Sequence, residues 1–329
     1  MSAMSRCKPL GFLALLVACA ETSSGSGPLA RPPLAEDDPL SMVPAEADLV
    51  LWADLAKLRS SPWTHDSFEK MTGAEAASPP TGFEQVRAVE RLVFAKVPSL
   101  GDGVSLLVAQ GGIERERMLD VFAKEGRTSA STYRGAELLT RGEETLAFTG
   151  KRLALSGPTV AVRAALDCSF GVARAIDTEP WFQRLRGHLL RDADPARLVA
   201  ALYVHLQPAT REVLMREMGE GETLEEFAAR VELGDDLHLT ALGGVRTAAE
   251  AKDLAGRLAE RLRDASVRPI VAAFGFASVL DSVRFQAQEA RVVGTLHVSA
   301  RERVQIAERM AAVSDMMAKM RKTEEKGQP

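Results

Sequence analysis

The amino-acid sequence predicts an α+β fold, with helices packed on one side of antiparallel sheets. Three observations predict it. Apolar runs of strand length recur from Asp48 to Ser299, several of them joined by glycine-bearing turns. Segments with apolar residues at 3/4 spacing, the period of one helix face, alternate with those runs. Ser/Thr-x-x-Glu capping boxes, in which two side chains satisfy each other's orphan backbone donors, mark helix starts at Thr223–Glu226, Thr247–Glu250 and Ser299–Glu302. A strand–strand–helix unit thus recurs, with helices near 114, 158, 247 and 300. It suggests two related halves, 45–170 and 171–322.

Taken in order, DLVLWADL (48–55) is a strand, followed by a helical segment to about Met71 and a loop broken at Ser78-Pro79-Pro80. RLVFAKV (91–97) and VSLLVAQ (104–110) form a hairpin across Asp102-Gly103. The helix IERERMLDVFAKEG follows, and STYRGAELLTRG, ETLAFTG and RLALSG read as three strands. PTVAVRAALD (158–167) is a helix with Pro158 at its first position, where a missing N–H costs nothing. Trp181, Phe182, Leu185 and Leu189 form the apolar stripe of another helix, and RLVAALYVHL (197–206) is a strand. A helical segment runs from Pro208. Two strands then surround Gly234-Asp235 within 229–244, helical AAEAKDLAGRLAERLRD and a second helix reach about Leu280, and 283–299 reads as a hairpin before a final helix.

The opening VPAEADLVLWADL (43–55), the Tyr133-Arg134-Gly135 strand start and the strand-to-helix run RLALSGPTVAVRAALD (152–167) occur in that order. In outline, over about 43–300, the chain resembles a loosely defined set of exported bacterial proteins of unknown function. The resemblance implies export and assigns no catalytic residue.

The first residues agree with export. Arg6 and Lys8 precede nine mainly apolar residues, Leu10–Ala18. That is the size of a signal-peptide core and short of the roughly 20 residues a spanning helix needs. The stretch closes with Leu16-Val17-Ala18-Cys19, which resembles the bacterial lipoprotein lipobox. That resemblance implies cleavage after Ala18 and lipid on the Cys19 sulfur. Two or three acyl chains satisfy the requirement for at least two anchoring signals. Ala at position 20, rather than Asp, favours the outer membrane by analogy with proteobacterial sorting. Residues 20–44, rich in Ser, Gly, Pro and acids, read as a tether spanning about 25–30 Å as a flexible coil.

Of the three cysteines, Cys7 leaves with residues 1–18 and Cys19 takes lipid. Cys168 is left alone, as a small apolar residue without a disulfide partner. Removing Arg6 and Lys8 takes the formal net charge from −4 to −6, with no basic footprint for nucleic acid.

Chemistry is sparse. The histidines His65, His188, His205, His238 and His297 fall in no H-E-x-x-H or H-x-H pattern, and no C-x-x-C occurs, so neither a metal site nor a cofactor is expected. Asp236 and His238 stand two apart at a strand start and share a face extended by Thr240. They are the candidate catalytic pair, the orienting half of a triad, though no G-x-S-x-G elbow supplies a nucleophile. The alternative for this face is plain solvation opposite Leu237, Leu239 and Ala241. His205 alternates with Tyr203 on what reads as a sheet surface. FTGKR (148–152) lacks the glycine and the Ser/Thr of a phosphate loop and reads as a turn. Glu220, Glu222, Glu225 and Glu226 form an acidic run explained in part by helix capping. Met310, Val313, Met316, Met317 and Met320 form a stripe that either faces a core or offers an adaptable partner surface. Residues 323–329 are a charged tail.

The expectation is a lipid-anchored, non-catalytic cell-envelope protein, bound to the membrane through Cys19. Its body would bind a protein or an apolar ligand, or act as a scaffold. The alternative is an envelope hydrolase built on Asp236 and His238.

Overall fold

The computed structural model describes residues 38–65, 88–101, 103–124, 126–208, 224–266 and 277–305. The leader, Cys19, most of the tether, Ser78-Pro79-Pro80, Glu220, Glu222, Thr223, the methionine stripe and the charged tail lie outside the described residues. The described chain falls into two compact units. The first takes residues up to Ala56 and those ending at Gln183; the second takes the segment beginning at Lys57 and all residues from Arg184. The class is α+β, as the alternation of runs predicts.

In the first unit seven strands form antiparallel pairs: β1 (Leu49–Asp54), β2 (Val89–Lys96), β3 (Ser105–Gly111), β4 (Ser129–Tyr133), β5 (Ala136–Arg141), β6 (Glu144–Thr149) and β7 (Leu153–Pro158). Their order is β1-β2-β3-β7-β6-β5-β4. Helix α1 (Leu55–Ser60) follows β1 and belongs from Lys57 onward to the second unit, and α2 (Arg115–Lys124) follows β3. Helix α3 (Thr159–Ser169) lies against β3, β6 and β7. Its Ala161, Val162, Ala165 and Leu166 are all fully buried, the stripe that a 3.6-residue period puts on one face.

Two expectations change here. STYRGAELLTRG is two strands, because Arg134 (φ 50°) and Gly135 (φ 79°) form a left-handed two-residue turn between β4 and β5. Paired positive φ values match the twist of a hairpin, and glycine supplies one without steric cost. The Tyr-x-Gly element is therefore a hairpin corner rather than a strand start. Pro158 ends β7 and caps α3 from outside its first turn, with φ −56° and ψ 147°.

In the second unit, β8 (Leu198–His205), β9 (Glu226–Leu233), β10 (Leu237–Gly244), β11 (Arg284–Gln288) and β12 (Arg291–Val298) pair in the order β11-β12-β10-β9-β8, all antiparallel. Helix α5 (Ala248–Ser266) packs on β11 and β12, and the short α6 (Ala277–Ser282) on β12. Ala251, Leu254 and Ala255 meet Val245 and Val292, with Leu224, Leu258 and Phe285 at the margin. Burying a side chain such as Leu254 contributes about 1.5–3 kcal/mol.

The opposite face of the sheet is also covered. Helix α4 (Pro180–Leu190) ends there, the Leu189 carbonyl accepting from Arg230 of β9. Tyr203, read from the sequence as lying on a sheet surface, is 2% exposed on this face beside Val199 and Ala201.

The three capping boxes fare differently. Ser299 and Glu302 cap each other: Ser299 N donates to Glu302 Oε2 at 2.8 Å, and Glu302 N to Ser299 Oγ at 3.3 Å. Thr247 Oγ1 accepts from Glu250 N at 3.2 Å, while the Glu250 carboxylate accepts from Arg246 N at 3.0 Å. The helix expected to start at Thr223–Glu226 is corrected. Glu226 opens strand β9, and its carboxylate accepts from Arg184 at 2.7 Å. Residues 226–232 pair with β8 on one side and β10 on the other, and two ladders outweigh one local cap.

Candidate functional site

The β9–β10 hairpin closes through Gly234, Asp235 and Asp236, with Gly234 N donating to Asp236 O at 3.0 Å. Arg197 Nη2 donates to the same carbonyl at 3.1 Å. A Cβ at Gly234 would lie 2.8 Å from Arg197 Nε, so glycine is what lets the guanidinium rest on the turn. On the side chain, Asp236 Oδ1 accepts from Ala300 N at 2.9 Å, where the chain leaves β12. The turn is thus held from both sides.

Asp236 lies in this turn, not within β10. The imidazole that reaches it is not His238 but His297, whose Nε2 is 3.1 Å from Asp236 Oδ2. His238 and His297 are direct cross-strand partners on β10 and β12, with ring centroids 4.5 Å apart and planes tilted by 46°. One nitrogen or oxygen from each of Asp236, His238 and His297 lies within 4.8 Å of the others. Across β9, β10 and β12 the register sets Glu232, His238 and His297 in one row. Glu232 is buried, whereas the Asp236 and His297 side chains remain 38% and 46% exposed.

The electrostatics follow from these contacts. The Ala300 N–H, then the bond to His297, hold the Asp236 carboxyl below its usual range. His238 is lowered by desolvation first, then by His297 and Arg197, so its ring is neutral at pH 7 with a free lone pair on one nitrogen. Glu302, fixed by the Ser299 hydroxyl and amide, is also lowered.

The serines nearest the pair are engaged elsewhere. Ser282 Oγ donates to His297 O at 2.6 Å, and Ser299 Oγ donates to Glu302 Oε2 at 2.6 Å. Among the described residues, no serine hydroxyl hydrogen-bonds either imidazole. Two imidazoles and a carboxylate converging on one point instead form a donor set for a cation.

The other candidates stay apart from this cluster. His65 Nδ1 is 3.1 Å from Arg59 O, and His188 Nδ1 is 3.3 Å from Arg191 Nη2. His205 ends β8 on its covered face. Gly150 (φ 61°) turns the chain between β6 and β7, and Arg152 beside it pairs with Glu90. Cys168 is buried, its Sγ 3.3 Å from Arg174 O, and burial pushes the thiol up to about 12. Within the second unit, a cavity of 540 Å³ is lined by polar groups including Lys57, Ser60, Ser61, Arg197, Asp235 and Asp236.

Fold and site together describe an antiparallel α+β body with an Asp/His cluster at one hairpin end. The fold is similar to crystal form III of TP0453, at 12% identity, over 81% of this chain and 96% of that one, with a TM-score of 0.51. Crystal form I of the same protein aligns at 11% identity over 84% and 97%, with a TM-score of 0.49. No protein-family model matches the chain, and no curated protein matches it in sequence.

Proposed function

We propose that the chain is a lipid-anchored protein of the bacterial cell envelope, held at the outer membrane through Cys19 and facing the periplasm. In this reading its body binds a partner or ligand and carries out no reaction. The observation that carries the attachment is the run Leu16-Val17-Ala18-Cys19 behind a short apolar core, followed by a Ser/Gly/Pro-rich stretch. A thiol at that position takes up a diacylglycerol, and about 0.8 kcal/mol per buried CH₂ over two or three chains makes a stable anchor. No helix among the described residues is long and apolar enough to cross a membrane. Binding is favoured over hydrolysis because, among the described residues, no serine hydroxyl bonds either imidazole, and the nearby Ser282 and Ser299 hydroxyls donate to His297 O and Glu302 instead.

Growth with labelled palmitate tests the attachment. The wild-type chain should carry label and sediment with membranes, and Cys19→Ser should lose both properties. A wild-type chain that stays unlabelled and soluble overturns the reading.

A further inference from the structure

We propose that Asp236, His238 and His297 form a site for a divalent late transition cation of the zinc type. One carboxylate oxygen and two imidazole nitrogens would be the protein ligands, with a fourth position open to water. This inference stands apart from the route by which the chain reaches a membrane.

Ligand atoms about 2.0–2.1 Å from a tetrahedral zinc ion are about 3.3 Å from one another. Asp236 Oδ2 and His297 Nε2 are already 3.1 Å apart, close to that edge length. The third donor, on His238, lies within 4.8 Å of both, so a side-chain movement of up to about 1.5 Å closes the set to the tetrahedral edge.

The three side chains are also held in place by their neighbours and by the sheet. A metal-ligating group works best when neighbours hold it in place. Asp236 is held at its carbonyl by Arg197 and at Oδ1 by Ala300 N, leaving Oδ2 aimed at the imidazoles. His238 and His297 sit opposite each other in regular register on paired strands, so their Cα positions are set by the sheet rather than by a loop. The free state joins Asp236 Oδ2 and His297 Nε2 by a hydrogen bond. The cation would replace that bridging hydrogen at Nε2, leaving the His297 ring hydrogen on Nδ1.

Donor chemistry then selects the ion. Mg²⁺ and Ca²⁺ take oxygen donors, whereas imidazole suits zinc, copper and nickel. Partial exposure of Asp236 and His297 gives solvent a route to the fourth position, and the remaining carboxylate charge offsets part of the cation's.

The test uses the untagged full chain in detergent with Zn²⁺ alone, in competition with a chromophoric chelator. One site should appear, and X-ray absorption at the zinc edge of the wild type should show imidazole scattering. Loss of a supporting neighbour costs about 10–100-fold in affinity. Losing a ligand in His238→Ala or His297→Ala should therefore weaken binding at least tenfold, while His188→Ala stays at the wild-type value. Cys19→Ser should leave the affinity intact even as it releases the chain from membranes. Three results would overturn the proposal: no competition by the wild type at micromolar Zn²⁺, an edge spectrum without imidazole or with sulfur, or full affinity in a folded His297→Ala chain.

Discussion

The Tyr133 hydroxyl donates to the Asp167 carboxylate at 3.0 Å, joining the β4–β5 corner to the last turns of α3. Arg134 pairs with the same carboxylate, and the Arg163 guanidinium lies 5.1 Å from the Tyr133 ring centre. The Tyr-x-Gly element is thus a clasp between a hairpin and a helix. A hydrogen bond to a charged group contributes about 1.5–3 kcal/mol, and Arg134 remains as a partner for Asp167. Tyr133→Phe should therefore cost about 1–2 kcal/mol in urea unfolding; no change would mean that the ring alone makes the clasp.

Arg230 and Glu232 form a nearly closed ion pair on β9, with Nε donating to Oε2 at 2.9 Å and both side chains only 10% exposed. Glu232 Oε1 also accepts from Asp194 N at 2.7 Å. Removing one partner of a buried pair strands the other charge, at about 3–5 kcal/mol. Arg230→Met should fall in that range by denaturant melts. Adding Glu232→Gln, which keeps an acceptor for Asp194, should restore a substantial part. Additive losses in the double variant would show that the two charges are uncoupled.

Gly111 faces the irregularity in β2 between Val89 and Arg91. A Cβ there would lie 2.1 Å from Ala88 O and 2.8 Å from Glu90 N, both of them backbone atoms. Overpacking of this kind costs about 1–3 kcal/mol. Gly111→Ala should lower the melting temperature accordingly, whereas Gly112→Ala, which meets nothing within 4 Å, should not. Equal melting temperatures would rule out the close approach.

Alkaline pH should destabilise the fold. Burial, then the carboxylates of Glu46, Asp167 and Asp177, pushes the Cys168 thiol from an ordinary 9.0 to about 12. Burial likewise raises Tyr203 from 10.0 to about 12. Both groups are kept neutral in the fold, so their contribution is complete below pH 9 and is lost progressively as pH rises towards 12. The urea midpoint should hold steady from pH 7 to about 8.5 and then fall, with Cys168→Ala removing the thiol's share. At pH 8 Cys168 should react slowly with a thiol reagent until urea unfolds the chain. Rapid labelling of the folded chain at that pH would contradict its burial.

Much of the fold is legible in the sequence, and the exceptions have physical causes. The strands around 48–55, 91–97 and 104–110 show themselves by short apolar runs, and α3 and α5 by 3/4 spacing, because these patterns repeat within one element. The β4–β5 corner is missed because Arg134 is an uncommon residue at positive φ. The helix expected at Thr223–Glu226 is a strand because its backbone is claimed from both sides by ladders that no local motif reports. Asp236 and His238 are visible as neighbours, yet neither points to His297, which lies 61 residues beyond Asp236 and reaches it through the pairing of β10 with β12.

The sequence alone settles the class of fold and the place of most elements, since side-chain periodicity and turn chemistry act over a few residues. Only the tertiary structure decides which strands become neighbours and in what register. A shift of one residue between β10 and β12 would turn His297 to the opposite face of the sheet. The meeting of two imidazoles and a carboxylate at one hairpin end is a consequence of that long-range pairing.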